Sequence, residues 1–181
     1  MIKLFLYVTI SLGAYLNFSH SCDKIIVWNP NIKLSWNDFK GTVDSNSKFS
    51  ALSALSIKYK CKFDDTGLFT YTVTSSFDCC QSWVKLKSQN DHLLKHEQLH
   101  FLIAEKNARI LRRKFENYKK VFNFKTVSKD LNKLYIEVLE LEDNEQELYD
   151  KETNHSRDLC GQECWESKIK KELMELDNWK E

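Results

Sequence analysis

The sequence predicts an α+β fold, in which an N-terminal antiparallel β-sheet packs on a C-terminal helical part. Two patterns predict it. Between residues 23 and 87, apolar and polar residues alternate, which is typical of strands with one buried face. From residue 88 to residue 181, apolar residues recur every three or four positions, which is typical of amphipathic helices. The chain has 181 residues, and we expect residues 22–181 to form a single domain.

Three strands are predicted in the β-rich part. The first covers Lys24–Trp28. Leu55–Phe63 and Leu68–Phe77 flank a turn at residues 64–67, and they are expected to form an antiparallel hairpin with one buried face.

Three helices are predicted in the second part. The first is capped by Ser88 or Asn90 and runs to about Tyr118. The second covers about residues 126–150, and the last covers residues 158–178 after a loop at residues 153–157. The second helix is expected to bury an apolar stripe made of Leu131, Leu134, Val138, Leu141 and Leu148.

Residues 1–21 are predicted to be a signal peptide. Lys3 precedes an uncharged, mostly apolar run over residues 4–16, and small residues before Cys22 occupy the usual cleavage positions. The run is too short for a comfortable membrane span. We therefore expect a mature protein without a transmembrane helix, which is secreted or held in the periplasm or cell envelope. A lipid anchor on Cys22 is a second possibility.

The charge balance excludes a typical nucleic-acid-binding protein. The chain has 27 basic and 26 acidic residues, and removal of residues 1–21 takes away Lys3 and no acidic residue, which leaves 26 of each. A nucleic-acid binder would need a clustered basic surplus. We expect a monomer whose partner is a peptide or protein substrate.

The six cysteines are Cys22, Cys61, Cys79, Cys80, Cys160 and Cys164. Export permits disulfides. A bond from Cys61 to Cys79 or Cys80 is plausible because these residues are expected at the open ends of the hairpin. Cys160 and Cys164 lie four apart, so they could pair only if their helix were distorted.

The first helix carries His96-Glu97-Gln98-Leu99-His100, an H-E-x-x-H motif. Residues four apart share one face of a helix, so both imidazoles can reach one Zn²⁺ at about 2.0–2.1 Å. Glu97 can then serve as general base toward the activated water. The alternative interpretation is an amphipathic helix whose histidines are simply exposed.

A catalytic zinc needs a third protein ligand. His155 is the first choice because it lies in a polar loop, and Asp150 is the runner-up. Asp150 could instead hydrogen-bond the free nitrogen of a ligating histidine. Tyr149 is a candidate hydrogen-bond donor to an oxyanion, with a core aromatic as the alternative.

Several stretches together resemble one known family. They are Trp36 to Gly41, Ser82 to Val84, His96 to Phe101, Glu105, Ala108-Arg109, Tyr149 to His155, Gln162 and Trp165. The chain resembles a bacterial domain-of-unknown-function family described as predicted secreted zinc-dependent proteases. The resemblance implies a zincin-like minimal metalloprotease, with His96 and His100 as ligands and Glu97 as catalytic base. The chain departs from the family pattern at Ser156, where glycine is usual.

The function expected from these observations is that of an exported zinc metallopeptidase. It would hydrolyse peptide bonds with a zinc-activated water, and an edge strand beside the metal could hold an extended peptide. The alternative is a catalytically inactive envelope protein of the same fold that binds a peptide or a partner. A metallohydrolase that acts on other substrates also stays open, since the water chemistry is shared.

Overall fold

A computed structural model describes residues 22–63 and 69–180. The predicted signal peptide, residues 1–21, lies outside the described residues. The strands are β1 (Ile25–Val27), β2 (Ala51–Leu52), β3 (Leu55–Phe63), β4 (Phe69–Asp78) and β5 (Trp83–Val84). The helices are α1 (Asp91–Lys119), α2 (Val127–Glu152) and α3 (Leu159–Glu175), with short 3-10 turns at Trp36–Asp38, Leu86–Ser88 and Asp177–Trp179. The α+β prediction is confirmed.

The main sheet has three antiparallel strands in the order β1-β4-β3. The β3–β4 register pairs Leu55 with Phe77 and Phe63 with Phe69, as a regular hairpin requires. Phe69, Val73 and Phe77 are fully buried, while the threonines at alternate positions face away. The predicted hairpin with one buried face is therefore confirmed.

A second, two-stranded sheet pairs β2 with β5. The sequence does not predict it, because strands of two residues are too short to show a period. This small sheet places the β2–β3 connection, which contains Ser53, beside α1.

Helix α1 is the central element of the fold. Asn90 caps it, since its side-chain oxygen accepts a hydrogen bond from the Leu93 amide at 2.9 Å. Phe101, Ala108 and Phe115 form part of its fully buried face. The helix packs against β4 on one side and against α2 and α3 on the other.

The predicted stripe of α2 is correct only in its first half. Leu131 and Val138 are buried, but Leu141 and Leu148 are 52% and 42% exposed. The second half of α2 instead turns Tyr149 and polar residues toward α1. The leucine spacing therefore does not mark the buried face in this half of α2, because this part of the helix contributes to a polar site.

Helix α3 follows a tight turn. Asn154, His155 and Ser156 all have positive φ, at 46°, 51° and 68°. The last is the position where glycine is usual in the resembled family, and a left-handed φ is the conformation that glycine adopts most easily. Trp165 and Ile169 bury the inner face of α3, as predicted.

No helix among the described residues is both long and apolar enough to cross a membrane.

A disulfide joins Cys22 to Cys80, and Cys61 and Cys79 are free. The predicted bond from Cys61 to Cys79 or Cys80 is wrong. The reason is the hairpin register, which places Cys61 opposite Tyr71, far along the strand from Cys80.

Candidate metal centre

Three side chains from two helices converge beside the small sheet. His96 and His100 extend from α1, and Asp150 extends from the last turn of α2. The Nε2 atoms of the two histidines lie 3.1 Å apart. Oδ1 of Asp150 lies 3.0 Å from Nε2 of His96 and 3.2 Å from Nε2 of His100. This is the cluster of possible metal ligands that the described residues contain.

The three ligand atoms fit a small divalent cation. Tetrahedral ligands with bonds of about 2.0–2.1 Å are separated by about 3.3 Å, close to the observed distances. Two imidazoles and a carboxylate are a donor set that Zn²⁺ accepts. The side chains come from rigid helices, so their arrangement does not depend on a loop.

His155 lies next to this cluster but outside it. Its Nδ1 is 3.5 Å from Oδ1 of Asp150, and its side chain is 42% exposed. The ring packs edge-on against Phe49, with centroids 5.0 Å apart. His92 donates from Nε2 to the carbonyl of Ser156 and so holds the turn that carries His155. A ligand role for His155 stays a prediction, whereas the runner-up Asp150 lies among the converging atoms.

Glu97 lines the same cleft as the two histidines. It is 4% exposed, and its Oε2 accepts a hydrogen bond from Oγ of Ser53 at 2.6 Å. The sequence does not predict this role of Ser53, because a lone serine between two short strands carries no motif. This contact gives the carboxylate a defined orientation.

The electrostatics of the cluster couple His100 to Asp150. Burial opposes a charged carboxylate, but hydrogen bonds with His100 and His96 outweigh it and hold the pKa of Asp150 well below its usual range. Burial also opposes a charged imidazole, but the hydrogen bond with Asp150 and the charge of Glu97 outweigh it, so the pKa of His100 is raised. The cluster therefore favours a positive charge next to Asp150.

Tyr149 stacks on the ring of His96, with centroids 4.5 Å apart. It is fully buried, and its hydroxyl donates to Oε1 of Gln162 at 2.6 Å. Burial raises the pKa of this phenol, which keeps it protonated. Its predicted role as oxyanion donor stays a prediction, and the observed contacts are those of a residue that supports His96.

Two glutamines contact the other ring nitrogens of the histidines. Nδ1 of His100 lies 2.6 Å from Oε1 of Gln146, and Nδ1 of His96 lies 3.2 Å from Oε1 of Gln162. Neither glutamine was identified from sequence as a partner of a histidine. The available signal is the i, i+4 spacing of Gln146 and Asp150, which puts both on one face of α2.

The cluster opens onto a cleft of about 540 Å³. Residues 48–53, which include β2, form one wall, and the second half of α2 forms the other. Lys48 and Arg157 line the cleft together with Glu142 and Asp143, so the lining carries both signs of charge. The ligand atoms and Glu97 therefore lie where a solvent-borne molecule can reach them.

Comparison with known families gives one match. Residues 31–156 match a family described as bacterial protein of unknown function (DUF922). No curated protein and no solved structure matches the chain. The match covers more than half of the chain and includes the motif on α1, Asp150 and His155. The chain belongs to the DUF922 family of bacterial proteins.

Proposed function

We propose that this protein is a secreted or envelope-located zinc-dependent peptidase. The observation that carries the proposal is the convergence of His96, His100 and Asp150 to within 3.0–3.2 Å of one another, in a cleft that Glu97 also lines. A cluster of this kind that opens onto a cleft is typical of a hydrolytic metal site. His96, His100 and Asp150 would hold the ion.

The residues of the chain have separable roles in the proposed reaction. When bound, zinc would supply Lewis acidity and lower the pKa of a water molecule to about 7. Glu97 takes a proton from the attacking water and later passes it to the leaving amine nitrogen. The water oxygen bonds to the carbonyl carbon, and the peptide C–N bond breaks. Ser53 donates to Oε2 of Glu97 and so orients the carboxylate for this proton transfer.

The position of β2 supports a peptide substrate. β2 pairs with β5 in a two-strand sheet, so it is an edge strand. Ala51 and Leu52 line the same cleft as Glu97. An extended peptide could pair with this edge through its backbone, which would bring a peptide carbonyl near the metal cluster without a strong sequence requirement.

The disulfide supports export. Bonds such as Cys22–Cys80 persist in oxidising compartments and are rare in the cytosol. A thioether lipid on Cys22 would need the sulfur atom that this bond uses. The lipid anchor therefore stays a prediction that would require Cys80 to be a free thiol.

A second candidate function is favoured by a larger groove elsewhere. This groove has a volume of about 1230 Å³ and lies between the β1 region, α1 and α3. Trp28, Leu94, Leu102 and Met174 give it a mostly apolar lining. A catalytically inactive protein that binds a peptide or partner would use a surface of this kind.

The experiment that tests the proposal compares wild type with Glu97→Gln. Zinc content and cleavage of a mixed peptide library are measured on the purified mature protein. We expect Glu97→Gln to retain zinc and to lose about 10²–10⁴-fold in cleavage rate. Glu147→Gln, an exposed position on α2, is the matched control and should cleave normally. Cleavage that survives Glu97→Gln or chelation would contradict the mechanism, and binding of peptides without cleavage by wild type would favour the second candidate.

A further inference from the structure

We propose that Gln146 and Gln162 are positioning residues that fix the tautomers of His100 and His96, so that both Nε2 lone pairs point at the metal cluster before any ion binds. The inference rests on the proposed metal site but not on proteolysis. A neutral imidazole carries its proton on either ring nitrogen, and only the nitrogen without a proton can bind a metal. The partner of the other nitrogen decides which form is present.

The orientation of Gln146 is determined by its other contacts. Its Nε2 donates to the backbone carbonyl of His100 at 3.1 Å and to Oε1 of Glu142 at 2.7 Å. A backbone carbonyl can only accept, so the NH₂ group of Gln146 must face it. Oε1 is then the atom that meets Nδ1 of His100 at 2.6 Å. Because Oε1 accepts, Nδ1 of His100 must carry the proton.

The orientation of the Gln162 amide is determined in the same way. Its Nε2 donates to Oε1 of Glu166 at 3.0 Å, and its Oε1 accepts from the hydroxyl of Tyr149 at 2.6 Å. The reversed amide would place its oxygen against the carboxylate of Glu166. Oε1 therefore faces Nδ1 of His96, at 3.2 Å, and that nitrogen also carries its proton. Gln162 is 2% exposed, so water does not compete for this contact.

Both histidines thus present an Nε2 lone pair toward Oδ1 of Asp150. When the rings are neutral, three acceptor atoms lie 3.0–3.2 Å apart without a hydrogen between them. Acceptors at this distance repel one another unless a cation or a proton lies among them. By fixing both tautomers, the two glutamines therefore favour a positive charge between these three atoms.

Each glutamine is itself held by a glutamate, which gives two parallel chains of hydrogen bonds. One chain runs from His100 through Gln146 to Glu142, and the other runs from His96 through Gln162 to Glu166. A bond at the far end of an amide polarises it and strengthens the acceptor at the near end. The amides themselves add no formal charge to the cluster.

The tautomers of His96 and His100 can be measured directly in the metal-free protein. The mature protein is labelled with ¹⁵N-histidine, stripped with a chelator and studied by long-range ¹H–¹⁵N correlation at a pH where the rings are neutral. We expect His96 and His100 both to carry the proton on Nδ1. An Nε2-protonated form of either residue in wild type would overturn the proposal for that residue, whether or not any variant folds.

Two substitutions serve as controls for each other. Of the two histidines, Gln146→Met removes the acceptor for His100 alone, and Gln162→Met removes the acceptor for His96 alone, together with that of the Tyr149 hydroxyl. Each should shift the tautomer of its own histidine and leave the other unchanged, and each should weaken Zn²⁺ binding by about 10–100-fold in a chelator competition. Unchanged tautomers in both methionine variants would overturn the proposal.

The two proposals fail in different ways. If the tautomers are as expected and Zn²⁺ does not bind, the metal function is wrong while the positioning by glutamine stands. If Zn²⁺ binds and peptides are cleaved with the opposite tautomers, the glutamines serve structure alone.

Discussion

Helix α1 carries two buried polar clusters that differ in how their charges are satisfied. The first is the candidate metal cluster of His96 and His100 with Asp150. The second surrounds Glu105, whose Oε1 accepts from Nε of Arg109 at 2.9 Å and from Nη1 of Arg112 at 3.0 Å. Oε2 of Glu105 accepts from Oγ of Ser75 at 2.7 Å. In the second cluster hydrogen-bond donors face acceptors. In the first, when both imidazole rings are neutral, three acceptor atoms face one another.

The difference separates a cluster that is satisfied within the protein from one that is a candidate functional site. The Glu105 cluster joins α1 to β4 and, through contacts of the arginines with the carbonyls of Leu173 and Trp179, to the end of the chain. It is closed to solvent and complete within the protein. The metal cluster opens onto a cleft and is complete only when a cation or a proton is added. The same helix therefore holds the fold together with one cluster and presents a site with the other.

The largest expected effect is on stability, from Glu105→Gln. The substitution leaves two buried guanidinium groups without their shared carboxylate, so we expect the free energy of unfolding to fall by about 3–5 kcal/mol. Urea denaturation of the metal-free protein measures it. Glu116→Gln, an exposed position on α1, is the control and should change stability by no more than about 0.5 kcal/mol. Equal losses in the two variants would contradict the stabilising role of the Glu105 cluster.

The next effect is on metal binding, from Asp150→Asn. This substitution removes the charged member of the converging atoms, and we expect Zn²⁺ affinity to fall by more than the roughly 10–100-fold that an outer partner typically contributes. His155→Ala should cost less, since His155 lies beside the cluster. Asp143→Asn, in the same cleft wall, is the control. Zinc loss in His155→Ala with retention in Asp150→Asn would exchange the two assignments.

A smaller, graded effect is expected from pH. The pKa of His100 is raised from 6.5, so its protonation stabilises the metal-free fold. That stability is fully present below about pH 6.5 and is lost as the pH rises through the raised pKa. Zn²⁺ must displace the same proton, so its affinity should fall by about tenfold per pH unit below that pKa. Denaturation and chelator competition across this range should therefore show opposite trends, and parallel trends would contradict the coupling.

The sequence predicts best those parts of the molecule that have a strong period or a motif. β3 has the predicted bounds, Leu55–Phe63, and α1 begins after the predicted cap Asn90. The alternation of the hairpin and the buried face of α1 extend over many residues, so local contacts and tertiary packing agree. The motif places His96 and His100 on one face, because residues four apart in a helix are neighbours.

Other parts of the site depend on contacts between elements. Helix α2 continues to Glu152, past its predicted end, and this puts Asp150 in a rigid last turn that faces α1. Gln146 and Gln162 are neutral amides whose role exists only once three helices have packed. Ser53 contacts Glu97 because the small sheet, whose strands have two residues each, places the β2–β3 connection beside α1. The i, i+4 spacing of Gln146 and Asp150 predicts that they share a face of α2, but it does not predict which element that face contacts.

The central claim is that His96, His100 and Asp150 hold one divalent cation. X-ray absorption at the zinc edge of the zinc-loaded mature protein tests it most directly. We expect one zinc per chain with two imidazole ligands, the rest oxygen at about 2.0–2.2 Å, and no sulfur. Three imidazoles, sulfur at about 2.3 Å, or failure to retain zinc after desalting would contradict the claim.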